Sequence, residues 1–284
     1  MHIQKTNHTC LSCGNIFSGS FCNVCGEKVF HPEDKKITHL LEDVLHFITH
    51  FDNVFFKTIK TIFSRPGLYS LHYCNGIRKK YFRPVSLFLL CVVLYLLFPF
   101  FNGLNMRLRT YVSRDYDYAW YGRPLVRAKM VHAHLDLQQL AARYDSESPH
   151  FSKLFLLTLL PFTAFILAGL FFRRKKAFFD HFIMATEFNT FMVVFAYLLV
   201  PLLDKIMNGI SLLLFKNDFL ASEFLIGLVD LAAFLVFGLI AFRRFYGEKW
   251  GTTIFKTLLF IFLYSWIAVG LYKIIVLVCV LWFI

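Results

Sequence analysis

The chain has 284 residues, of which 57% are hydrophobic, 19% aromatic and only 17% charged, with a formal net charge of +12 and a mean hydropathy of +0.57. Soluble domains run at roughly 45–50% apolar and about 25% charged residues, so composition argues against a soluble enzyme, a disordered chain and a secreted disulfide scaffold. Lys and Arg cluster beside apolar runs, the arrangement of a membrane protein with basic flanks rather than of a nucleic-acid binder.

Residues 1–30 carry four of the seven cysteines, as Cys10-Leu11-Ser12-Cys13-Gly14 and Cys22-Asn23-Val24-Cys25-Gly26. Two CxxC pairs, each followed by glycine, predict facing knuckles that hold one structural Zn²⁺ per chain through Cys10, Cys13, Cys22 and Cys25. Glycine supplies the positive φ that tightens each turn. Ser18-Gly19-Ser20 marks a turn between short strand-like stretches, so the expected module is a small zinc-ribbon β-hairpin with both knuckles at one end. The competing reading, two disulfides, is disfavoured if these thiols face a reducing cytosol. Four thiolates leave no open coordination position, which points away from catalysis. Cys74, Cys91 and Cys279 are solitary and read as ordinary apolar residues.

Residues 31–83 read as an interfacial region. Ile37, Leu40, Leu41, Val44, Ile48, Phe51 and Phe55 recur with helical periodicity on one face of a helix expected over Lys36 to Phe63. His39, Asp43, His46 and His50 form a stripe on the opposite face. That stripe reads either as the wetted side of an amphipathic helix on the bilayer or as a metal or proton-relay cluster. Arg65-Pro66-Gly67 breaks the helix, and the run Arg78 to Arg83 is placed to meet anionic headgroups.

Residues 84–284 predict an all-α polytopic bundle of about five transmembrane helices, since a helix needs about 20 apolar residues to cross the hydrocarbon. The spans fall at Val85 to Phe101, Leu154 to Phe172, Ile183 to Leu203, Phe224 to Phe242, and within Ile254 to Ile284, where a span is followed by an apolar tail. An outer loop covers residues 102–150, rich in Tyr and Arg, and forms either a cap on the bundle or an aromatic belt. Arg78 to Arg83, Arg173 to Lys176, and Arg243, Arg244 and Lys249 flank the spans. Their placement predicts a membrane protein with a cytoplasmic N-terminus and a C-terminus on the far side, which is the periplasmic side if the membrane is a bacterial inner one. The first thirty residues lack a signal-peptide apolar core, so the first span is expected to serve as an uncleaved internal signal.

Ionisable residues within spans cost roughly 2.5–3.5 kcal/mol at mid-helix and each suggests a functional site. Asp180, His181 and Glu187 begin the third span, Asp230 lies in the fourth and Lys273 late in the final run. Asp230 and Lys273 have compatible depths and read either as an interhelical pair that neutralises itself or as side chains snorkelling to the interface, whereas Glu187 and Asp230 differ in depth.

These residues together resemble the DUF3667 family, uncharacterised bacterial membrane proteins found mostly in the Bacteroidota. The resemblance rests on the paired CxxCG ribbon, the Ile37-Thr38-His39-Leu40-Leu41 and Phe47-Ile48-Thr49-His50-Phe51-Asp52 segments, Arg65-Pro66-Gly67, Arg78 to Pro84, Phe179-Asp180-His181, and Arg243-Arg244-Phe245-Tyr246-Gly247. The family pattern places further histidines after its acidic–His pair; Glu187 and Asn189 stand there in this chain, against an obligatory histidine–metal site in the bilayer. The resemblance implies an architecture and no activity.

The leading expectation is a non-enzymatic membrane adaptor that displays a cytosolic zinc ribbon to a protein partner, with the bilayer as its other partner and a homo-oligomer compatible with the sequence. A transporter or permease using Asp180, His181, Glu187 and Asp230 is the alternative, although no internal repeat is evident. A histidine-dependent membrane enzyme built on His39, Asp43, His46, His50 and His181 is a second alternative. Nucleic-acid binding is disfavoured, since Lys5 and Lys28 are nearly the only cations of the ribbon.

Overall fold

A computed structural model describes residues 7–29, 53–98, 106–113, 118–215 and 223–284. The N-terminal module is a two-stranded antiparallel sheet of β1 (Asn7–Thr9) and β2 (Ile16–Ser18), in the register Asn7 to Ser18, His8 to Phe17 and Thr9 to Ile16. The expected hairpin lay between the knuckles; instead the first knuckle is itself the hairpin loop, and the second sits in a similar loop closed by a Phe21–Lys28 bridge. Backbone hydrogen bonding explains the repetition. Cys10 N donates to Asn15 O and Gly14 N to Cys10 O, and the second loop matches this with Cys22 N to Glu27 O and Gly26 N to Cys22 O. Each CxxCG therefore needs its own pair of flanking extended residues. Gly19, at φ 113°, makes the turn between the two loops.

The rest is helical. Helices α1 (Asn53–Ser64) and α2 (Leu68–Cys74) precede α3 (Pro84–Leu97), which starts where Pro84 takes the first helical position after an extended Arg83. Helices α4 (Leu108–Val112), α5 (Ala119–Ala133) and α6 (Leu137–Leu154) follow; α6 turns by 52° through a 3₁₀ segment into α7 (Leu159–Leu170). Helix α8 (Phe178–Met192) runs through a π-helical segment, Val193–Leu199, into α9 (Val200–Phe215). Helices α10 (Glu223–Tyr246), α11 (Trp250–Trp266) and α12 (Tyr272–Phe283) complete the chain, the last two joined by a π-helical Ile267–Leu271.

Among the described residues two helices are long and apolar enough to cross a membrane: Phe178–Leu213, of 36 residues, and Phe224–Tyr246, of 23 residues. The bent pair α6–α7 makes a third if counted as one span. The first expected span coincides with a shorter apolar helix, Pro84–Leu97; the expected fifth span falls on α11, and the apolar tail expected after Lys273 is itself a short apolar helix, Tyr272–Phe283. The third starts at Phe178 rather than Ile183 and continues past Leu203, because the π segment carries the helix on without a break.

Helix α8 is the axis of the bundle, with Phe179 to Met192 buried apart from Phe182, and it packs against α7, α3, α2 and α10. The Phe188 ring has Phe234, Phe237, Phe242, Phe260 and Tyr264 around it at centroid distances of 4.9 to 6.3 Å. The outer-loop region folds as a cap. Tyr111, Tyr118, Tyr121 and Tyr144 contact one another through their rings, Tyr111 Oη donates to Lys273 O at 3.1 Å, and Tyr272 Oη donates to Ser152 O.

Gly67 decides how closely α2 approaches α10. Its φ is 79°, and a Cβ there would stand 2.5 Å from Ala241 O. Backbone strain and overpacking together are expected to cost about 2–4 kcal/mol in Gly67→Ala. A lowered unfolding midpoint in detergent is the expected result, beside a Gly169→Ala control, whose Cβ meets nothing within 4 Å in a helix, with a midpoint equal to or above that of the unaltered protein.

Candidate metal centre and buried carboxylates

The sulfurs of Cys10, Cys13, Cys22 and Cys25 all lie within 4.8 Å of one another. Cys10 and Cys25 are separated by 3.4 Å and Cys13 and Cys22 by 3.7 Å. A tetrahedral ion with metal–sulfur bonds of about 2.3 Å has sulfur–sulfur edges of about 3.8 Å, so the donor set fits one such ion. Backbone N–H groups of Cys25 and Val24 aim at the Cys22 sulfur and hold its thiol down to about 6. The Glu27 N–H aims at Cys25, yet desolvation and the neighbouring sulfurs push that thiol up to about 12. A cation among the four sulfurs would relieve that crowding of charge. Cys10 and Cys22 are buried and Cys13 is exposed, which places the site at the edge of the module.

The module rests on the bundle. Buried Glu27 accepts a hydrogen bond from Lys79 N at 2.7 Å through Oε2. The segment it meets is stitched down in turn: Phe82 N donates to Thr58 Oγ1 at 2.9 Å, Tyr69 Oη donates to Phe82 O at 2.9 Å, and the Arg78 guanidinium lies over the Tyr73 and Phe179 rings. His72 Nδ1 and Tyr81 Oη are 2.7 Å apart; partial burial, then Lys80, hold the imidazole below its usual range.

Glu187, fully buried on α8, is the second centre. Its carboxylate accepts from Gly67 N at 2.7 Å, Ser70 N at 2.9 Å and Ser70 Oγ at 2.5 Å. Arg244 from the end of α10 donates to Pro66 O in the same corner. Two orphan N–H groups at the start of α2 thus find their acceptor on another helix. The motif Arg65-Pro66-Gly67 is the point where α2, α8 and α10 join, beyond ending α1.

The other polar residues have separate partners. Asp180 Oδ2 accepts from Ala177 N at 3.2 Å and caps α8, while His181 Nδ1 lies 2.9 Å from Tyr246 Oη. Asn189 donates to Thr163 Oγ1 at 3.0 Å and accepts from Tyr264 Oη at 3.1 Å. Asp230 and Lys273 form no ion pair among the described residues. Lys273 turns to Tyr118, 3.3 Å from its hydroxyl, and Asp230 Oδ1 is buried without a hydrogen-bond partner there. Matching depth did not make these residues face each other around the bundle. Asp230 is 14 residues from Arg244 along α10, about 21 Å at 1.5 Å per residue, and so far from the Glu187 corner. His39, Asp43, His46 and His50 lie outside the described residues. Sequence reasoning missed Ser70, Arg244 and Tyr246 as partners; the one available signal was an uncompensated Glu in an apolar helix.

One stretch links the two centres. It runs from α1 through the Gly67 corner and the Lys79 segment into α3. Residues 52–96 match the DUF3667 family model. That family is described as "Protein of unknown function (DUF3667)", and the match agrees with the resemblance read from the sequence. No curated protein and no solved structure matches the chain. The DUF3667 stretch contains Gly67, Ser70 and Lys79, so the matched residues are those that tie the module and α8 together.

Removing the carboxylate leaves buried N–H groups unsatisfied, at about 1–3 kcal/mol each. Glu187→Ala is expected to lose about 3–5 kcal/mol of stability, and Glu187→Gln, which keeps one acceptor oxygen, distinctly less. Thermal unfolding of the purified variants in detergent measures both.

Proposed function

We propose that the protein is a non-enzymatic membrane adaptor whose Cys10, Cys13, Cys22 and Cys25 hold a structural Zn²⁺ and whose ribbon faces a protein partner on the cytoplasmic side of a bacterial inner membrane. One observation carries the reading. A closed four-sulfur set is anchored through Glu27 to the base of the bundle, while its loop residues Leu11, Phe21 and Val24 stay exposed at 56%, 61% and 69%. Exposed apolar side chains on both knuckle loops offer the kind of surface that a protein partner covers.

The proposed topology has five spans and a cytoplasmic N-terminus. Supporting it, contacts gather the basic clusters at the end where the ribbon sits. Arg244 reaches Pro66, Arg174 reaches Gly247 O and Glu248, and Arg78 reaches Phe179. Transport is the weaker reading because Glu187 is satisfied by three donors and stands far from Asp230. Histidine-based catalysis has the least support, since His181 is engaged with Tyr246.

The test uses the full chain. Purified protein is expected to contain about one zinc per chain, as a closed four-thiolate site requires. A photo-crosslinker at Val24 in cells should capture a discrete protein, and Cys13→Ser should abolish both the zinc and the crosslink. Protein without zinc, or a crosslink that survives Cys13→Ser, overturns the proposal.

A further inference from the structure

Where α10 turns into α11, Gly247 takes a φ of 63° and leaves a recess of about 430 Å³ lined by Ile240, Arg243, Arg244, Gly247, Glu248 and Trp250. The Arg243 guanidinium lies 4.3 Å from the Trp250 ring centroid and is held there by a bond from Nη1 to Glu248 O at 2.6 Å. Arg244 commits one nitrogen to Pro66 O. Each guanidinium has five N–H donors, so both retain donors for a ligand. Glu248 would repel an anion if its charge were open. Its Oε1 instead meets Lys256 at 2.7 Å and Arg174 at 3.2 Å, so two cations neutralise the one carboxylate.

Below the recess the surface changes character. Val236 and Ile240 continue the Arg243–Arg244 face of α10 at helical spacing, and both are exposed. Ile254 and Leu258 do the same below Trp250 on α11, exposed at 44% and 53%. Two neighbouring helices, joined by a tight turn at the recess, therefore each pass from cationic or aromatic groups at that end to open apolar side chains along the shaft. A free anion needs only the first part of that gradient, whereas an amphiphile needs both.

We propose that this recess binds the phosphate headgroup of an anionic glycerophospholipid, with Arg243 and Arg244 on the phosphate, Trp250 at the glycerol level and the acyl chains along Val236, Ile240, Ile254 and Leu258. Cations near a membrane surface contribute about 1 kcal/mol each toward anionic lipid. Two arginines therefore predict about ten-fold or greater preference for phosphatidylglycerol over phosphatidylcholine of the same chains.

Native mass spectrometry of the full-length protein in neutral detergent, titrated with each lipid, reads this directly. The preference should shrink to about two-fold in Arg243→Gln, fall in Trp250→Leu, and persist in Arg127→Gln, which changes a charge on the opposite cap. If Arg243→Gln fails to fold, Trp250→Leu and the wild-type titration decide. Equal binding of the two lipids by the wild type, or a preference undiminished by the recess variants, overturns the proposal. Displacement of phosphatidylglycerol by excess inorganic phosphate would reassign the recess to a free phosphate and overturn the lipid assignment.

Discussion

The Glu187 carboxylate, buried on the central helix and bonded to the backbone of Gly67 and Ser70, is the constraint that organises the molecule. A charge in an apolar interior is tolerated only when its acceptor positions are filled. Here the donors come from a helix start that would otherwise have unpaired N–H groups of its own, so each element removes the other's cost. The arrangement works only with a close approach, and Gly67 against Ala241 supplies it. From that corner the contacts spread to the basic segment, to Glu27 and to the cysteine cluster. Among the described residues the N-terminal module is thereby joined to the core through the hydrogen bond from Lys79 N to Glu27.

Charged residues at this end of the protein serve one another before they serve solvent. Glu248 gathers Arg174 and Lys256, and Lys176 lies over the Phe245 ring at 4.3 Å. The loops after α7 and α10, far apart in sequence, are locked side by side. Cationic residues beside membrane helices are commonly read for topology alone. In this chain the same residues also knit the ends of the helices, which explains why Arg78 is stacked over aromatic rings instead of extended into water.

Much of this was legible in the sequence. Cysteine spacing named the four sulfurs, since a CxxCG loop fixes its own geometry, and apolar run length located the helices. Glu187 stood out as an expensive residue. Its partners did not, because two of them are backbone N–H groups, which carry no side-chain signature. The Asp230–Lys273 pairing failed for a related reason: depth along a helix can be counted, but the direction a residue faces depends on packing. The π-helical turns at Val193–Leu199 and Ile267–Leu271 add to this, since each changes the angular step on which face assignment rests. The hairpin was misplaced because the Ser18-Gly19-Ser20 turn was read as its tip, whereas the backbone bonds of each knuckle make the tips.

The helix from Phe178 to Leu213 is 36 residues long, about 54 Å at 1.5 Å per residue and well beyond the ~30 Å of hydrocarbon. One end is packed in the bundle; toward the other, Leu202, Leu203, Ile206 and Ile210 are exposed among the described residues. A helix this much longer than the hydrocarbon is accommodated by tilt, by bending or by local thickening of the bilayer, each at a modest cost per ångström of mismatch.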